Sequence, residues 1–196
     1  MKLEDQRSET PFAARDNILD IWTHITELSY RGFGKKPRKM PKEPKNFSIW
    51  SQESKDSWIK KQKKNVERQE YFDNLFIARE TEVLDNLCRE IIFLIDGANE
   101  INPQFLFECN KIRDMQDDAI TKCSNLKREL NHVMDSIPSN KNFIVKMEAD
   151  IDQEISILRG WRKSGNKKRE EVFENELKKQ KEAYAKIFGE SVHHFP

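Results

Sequence analysis

Two long apolar stripes at helical spacing, parted only by Pro138-Ser139-Asn140, constrain this chain more than any other feature. In the first, Phe105, Cys109, Ile112, Gln116, Ala119, Cys123, Leu126, Leu130, Val133 and Ile137 recur at alternating steps of four and three, with Gln116 as the polar intruder. Such spacing lines one face of an α-helix. In the second, Phe143, Met147, Ile151, Ile155, Leu158 and Trp161 keep a helical rhythm until Gly160 and the cationic Arg162-Lys163 end it. Helices joined by so short a turn lie antiparallel, because a few residues cannot carry the chain along the length of a bundle.

Further apolar stripes must cover the edge these two leave. Ile18, Trp22, Ile25 and Leu28, flanked by Leu19 and Ile21, form one behind the capping residue Asp16. Phe72, Leu75, Phe76, Val83, Leu84, Leu87, Cys88, Ile91, Ile92, Leu94 and Ile95 form another. The expectation is an all-α, antiparallel four-helix bundle over residues 1–169, with helices at 16–30, 54–98, 103–137 and 140–163. A basic irregular insertion fills 31–53, where Pro37, Pro41 and Pro44 disfavour helix in the residues before them. Residues 1–15 read as a loose arm broken by Pro11, and Asn102-Pro103 as the start of the third helix. A thin stripe of Val172, Phe173, Leu177, Tyr184, Ile187 and Phe188 makes 170–196 a separate helical extension and tail that could bind a partner.

Cys88, Cys109 and Cys123 all fall on apolar stripes, and an odd count without paired spacing is no disulfide framework, so a reducing cytoplasm is expected. No apolar run approaches the roughly 20 residues of a membrane span.

Charge is distributed unevenly beneath a net of +1. Residues 31–68 carry 13 basic and 4 acidic groups, and 159–169 carry 6 basic groups and no acid, whereas 69–158 carry 9 basic and 18 acidic. Polyanions would be drawn to the two cationic blocks. In the first block the candidates are Lys35, Lys36, Arg38, Lys39, Lys42, Lys45, Lys60, Lys61, Lys63 and Lys64; in the second, Arg159, Arg162, Lys163, Lys167, Lys168 and Arg169. Tyr30, Phe33, Phe47, Trp50 and Trp58 lie among the first set, and aromatic faces beside cations suit single-stranded nucleic acid. The same rings could equally pin the loop to the bundle, and the lysines could simply be solvated.

A search for catalytic chemistry yields little. His24, His132, His193 and His194 offer no metal-binding spacing beyond the terminal pair. Asp117, Asp118, Glu148, Asp152 and Glu154 would need inward positions and a Glu-x-x-His motif to build a di-metal site, and they read as a solvated face opposite the stripe. With no phosphate-binding loop, dinucleotide fingerprint or nucleophile elbow, no catalytic residue, metal or cofactor is expected. Two functions compete: RNA binding through backbone and shape, and a protein–protein scaffold without nucleic-acid contact.

One resemblance bears on that choice. Leu87-Cys88-Arg89-Glu90-Ile91-Ile92-Phe93-Leu94-Ile95-Asp96-Gly97-Ala98-Asn99-Glu100, the spacing Arg113-x-x-Gln116-x-x-Ala119-Ile120, and Ile157-Leu158-Arg159-Gly160-Trp161-Arg162-Lys163 together resemble the Avd-like four-helix-bundle proteins. These are the accessory variability determinants of diversity-generating retroelements, related to proteins encoded by ribosomal-RNA intervening sequences. The resemblance implies a non-catalytic homo-oligomer, a pentamer in the family, that binds template RNA and the reverse transcriptase in mutagenic retrohoming. It implies that Arg162 and Lys163 face nucleic acid, with Lys167, Lys168 and Arg169 as an extension. The insertion at 31–68 and the tail after Glu170 depart from the family's compact pattern, and so does the acidic core.

Overall fold

Four amphipathic faces close on one another in the computed structural model, which describes residues 2–137 and 142–188. The helices are α1 (Lys2–Tyr30), α2 (Gln52–Glu100), α3 (Leu106–Ser136) and α4 (Asn142–Phe188), and no strand occurs among the described residues. Helix α1 packs on α2 and α4, and α3 packs on the same two. Ile18, Ile21 and Ile25 of α1 meet Leu84, Cys88, Ile91 and Ile95 of α2, Ala119, Cys123, Leu126, Leu130 and Val133 of α3, and Ile144, Met147, Ile151 and Leu158 of α4 in a single core. Hydrophobic burial of these stripes supplies most of the driving force for helix formation, since isolated helices are marginal in water.

Polar pairs fix the register at the rim of the core. Trp22 Nε1 donates to Asp85 Oδ1 at 2.8 Å, and Arg15 pairs with Asp96 at 3.2 Å across α1 and α2. Lys122 pairs with Glu90 across α2 and α3. Between α3 and α4, Lys127 reaches Asp152 at 2.6 Å, Asn131 reaches Glu148, and Arg162 reaches Asp117.

The structure departs from the sequence reading at several places. Residues 2–15 belong to α1 rather than to a loose arm: Pro11 and Ala14 are buried, and their packing outweighs the hydrogen bond that Pro11 cannot make. Helix α3 starts at Leu106 instead of Pro103, because the Glu108 carboxylate accepts from the amides of Gln104 and Phe105 at 2.6 and 3.0 Å and holds them outside the helix. Glu176 of α4 accepts from the Leu106 amide at 3.0 Å, adding a second carboxylate at this positive helix end. The turn at Pro138-Ser139-Asn140 and the pair His193-His194 lie outside the described residues.

Helix α4 does not stop at Gly160, and the extension expected as a separate helix is its continuation. Its inward seam runs Leu158, Trp161, Gly165, Lys168, Val172, so the stripe persists through a glycine and a lysine to Val172, which is buried. On the outer side, Phe72, Leu75, Phe105 and Phe143, read as stripe residues, are about half exposed. Glu154, assigned to the solvated face, is fully buried at the position between Ile151 and Leu158.

Candidate nucleic-acid interface

At one end of the molecule the seam between α3 and α4 is not filled. Gly165 presents no side chain, and its nearest neighbour across the gap is Gln116 Oε1, which would lie 4.0 Å from an added Cβ. The result is a cleft of about 790 Å³ to which all four helices contribute: Thr10 from α1, Ala98 and Asn99 from α2, Cys109, Ile112, Arg113 and Gln116 from α3, and residues 161–168 of α4. Ile101, Asn102 and Pro103 of the connection between α2 and α3 complete it.

The cleft is cationic. Arg113, Arg162, Lys163, Lys167 and Lys168 line it, with Glu171 as the acidic lining residue. Arg162 is held by Asp117 and Arg113 donates to Asn166 Oδ1 at 3.5 Å, so both guanidinium groups are positioned by polar partners. Arg169, just outside the lining, donates to Asn110 Oδ1 at 3.0 Å. Arg159 is exposed on α4 one turn before Lys163. Lys168 also lines an adjoining hollow of about 360 Å³, where Lys178, Lys179 and Glu182 stand against Pro103 and Gln104.

An anion entering the cleft would meet convergent N–H donors. Within the cleft, burial pushes the Cys109 thiol up, against the opposing pull of Arg169 and Lys168. Among the described residues no cluster of three or more His, Cys, Asp or Glu could hold a metal ion. No helix among them is long and apolar enough to cross a membrane.

The first cationic block occupies a different place. From Lys35 the connection runs back along the first half of α2. Lys35 Nζ donates to Asn74 Oδ1 at 2.8 Å, and Arg38 makes a two-pronged contact with Asp73, both bonds at 2.8 Å. The Arg38 guanidinium holds the buried Asp73 carboxyl below the ordinary carboxylate range. Further along, Phe47 is buried and packs on Trp50 and Trp58, with ring centroids 5.5 and 5.1 Å away. Phe33 is also buried, at φ 53° between Gly32 and Gly34, both likewise left-handed. Four of the five aromatic rings thus pin the connection, and Tyr30, 87% exposed, stays open to solvent. Lys36, Lys39, Lys42, Lys45, Lys60, Lys61, Lys63 and Lys64 are exposed along this arm.

The two blocks are not brought together. Along α2, Lys64 and Ala98 are separated by about 50 Å at 1.5 Å per residue, so one chain presents a basic arm at one end and a basic cleft at the other. Arg113, Lys178 and Lys179 escaped the charge survey because they sit in segments of net negative charge. Arg113 had a signal all the same, since it belongs to the Arg113-x-x-Gln116 spacing. No protein-family model matches this chain, and no curated protein or solved structure does either.

Proposed function

We propose that this protein is a non-catalytic RNA-binding bundle whose four helices alternate in direction, with the basic connection 31–53 inserted between the first two. In this reading it acts in the cytoplasm as an accessory subunit that brings RNA to the reverse transcriptase of a diversity-generating retroelement, as a homo-oligomer. Support for the alternating directions comes from the cross-helix pairs. Partners of α1 descend along α2 from Asp96 to Asp85 as α1 climbs from Arg15 to Trp22, and partners of α3 descend along α4 from Arg162 to Glu148 as α3 climbs from Asp117 to Asn131.

The observation that carries RNA binding is the convergence of Arg113, Arg162, Lys163, Lys167 and Lys168 on one cleft. These residues come from two stretches about 50 positions apart in sequence. Cations at fixed positions exchange condensed counterions for phosphates, which gives affinity that falls steeply with salt. Photo-crosslinking of structured RNA to the full chain, with mass spectrometry of the crosslinked peptides, tests it. Adducts should map to 109–117 and 161–169; absence of any adduct at low salt would favour a scaffold that contacts only protein. The retroelement assignment rests on the Gly160-Trp161-Arg162-Lys163 resemblance. Co-purification of the chain with a reverse transcriptase encoded beside it tests that part separately.

A further inference from the structure

The inward seam of α3 carries one polar side chain, Gln116, and it sits where the cleft opens. Gln116 is 2% exposed, yet its carboxamide makes no hydrogen bond to any described residue. An unpaired buried amide costs free energy that an apolar side chain at the same position would not. Gln116 Oε1 faces Gly165 of α4, where an added Cβ would meet it at 4.0 Å and nothing nearer. One glycine therefore keeps open the space in front of the one group on this seam that lacks a partner.

The surroundings say what could enter. Ala98, Cys109, Ile112 and Trp161 line the same cleft and give it apolar walls, with the cations of α3 and α4 beside them. A simple anion would use the cations and leave the carboxamide unmatched. A nucleotide of a single strand uses every feature. Its base has faces that suit apolar and aromatic walls. The base edge sets a donor next to an acceptor, the pattern a glutamine amide matches on N6 and N7 of adenine. Its phosphates are left to the flanking cations, and a cleft of about 790 Å³ is of ligand-binding size.

We infer, on the reading that RNA binds here, that the cleft takes an unpaired base: Gln116 holds the base edge in the space left by Gly165 while the flanking cations hold the phosphates. A base, and not the backbone alone, is then recognised at this site.

Equilibrium binding of the full chain to oligoadenylate and to an abasic ribose-phosphate chain of equal length tests it, because the two ligands carry the same charge. Wild type should bind both with salt-dependent affinity, and oligoadenylate about tenfold more tightly. Gln116→Leu, which removes the carboxamide, and Gly165→Leu, which fills the space before it, should each abolish that preference. Affinity for the abasic chain and its salt slope should stay as in wild type. Both substitutions favour helix, so thermal melts by circular dichroism should show no loss of stability. A wild type that binds the two ligands equally, or variants that keep the preference, would overturn the inference and leave the cleft as a site for backbone alone. Absence of salt-dependent binding to either ligand would remove the RNA reading of the cleft and this inference with it.

Discussion

Replacing Glu154 with glutamine should stabilise this protein near neutral pH and leave it almost unchanged in mild acid. The Glu154 side chain is fully buried among Ile151, Ile155 and Leu158; Asn17 Nδ2 donates to its Oε2 at 3.3 Å, and its Oε1 has no hydrogen-bond partner. Desolvation raises its pKa from 4.5 to about 7, opposed only in part by Asn17, while the neighbouring Cys123 is itself pushed up by burial and by Glu154. For an acid whose folded pKa is raised, the folded state holds its proton more tightly than the unfolded chain does. Its contribution is therefore fully present below 4.5 and is lost as pH rises to about 7. At about 1.4 kcal/mol per pH unit, this interval corresponds to about 3 kcal/mol. Glutamine is isosteric with the protonated acid and keeps an acceptor for Asn17, so it should match wild type at low pH. Above pH 7 it should be the more stable by about 3 kcal/mol, or about 6–12 °C in Tm for a chain of this size. Urea or thermal melts of both proteins across this range isolate the effect, because every other titrating group cancels in the difference. Parallel stability curves would refute the reasoning and place water beside the Glu154 carboxyl.

Two other perturbations have outcomes set by local contacts. Arg38→Ala removes both bonds to Asp73 and leaves that carboxylate buried, so hydrogen exchange should accelerate across 33–50 while the helices around Leu126 stay protected. The Asp73 contribution is present above its ordinary pKa of 3.8 and disappears as pH falls through its depressed value, so in strong acid wild type and variant should exchange alike. Gly160→Ala should raise stability by about 1 kcal/mol, since an added Cβ meets nothing within 4 Å in mid-helix; a destabilised variant in denaturant melts would show that α4 is bent or broken there.

Sequence spacing located the core well where the stripes were apolar, or apolar but for the buried Gln116. Cys109 to Val133 on α3 and Ile18 to Leu28 on α1 lie inward as their periodicity requires, Ile112, Leu19 and Trp22 only partly. Spacing misled where residue type masked position. Met147, Ile151, Glu154 and Leu158 keep the four-three rhythm, yet the carboxyl at 154 read as surface, because burying an unpaired acid is costly and seldom expected. Gly165 and Lys168 likewise hid the continuation of α4, although Val172 beyond them gave the phase. Phe72 and Leu75 failed in the opposite sense: they are apolar at helical spacing, but α1 has ended at Tyr30 before that level of α2 and they stay about half exposed. The candidate site was half legible. The cationic run 162–169 stands out in sequence, whereas its partner Arg113, and the gap opened by Gly165 facing Gln116, require the pairing of α3 with α4.

The central claim, that the cleft between α3 and α4 is where RNA binds, is tested most directly by the salt dependence of RNA affinity. Wild type should be compared with a variant carrying glutamine at Arg162, Lys163, Lys167, Lys168 and Arg169, and with one carrying glutamine at Lys60, Lys61, Lys63 and Lys64. From about 50 to 200 mM salt the first variant should bind more weakly, and its log–log slope should be shallower by up to about 3.5, given about 0.7 per neutralised phosphate on a single strand. The second should change less. Equal affinity and slope in wild type and the cleft variant would contradict the account.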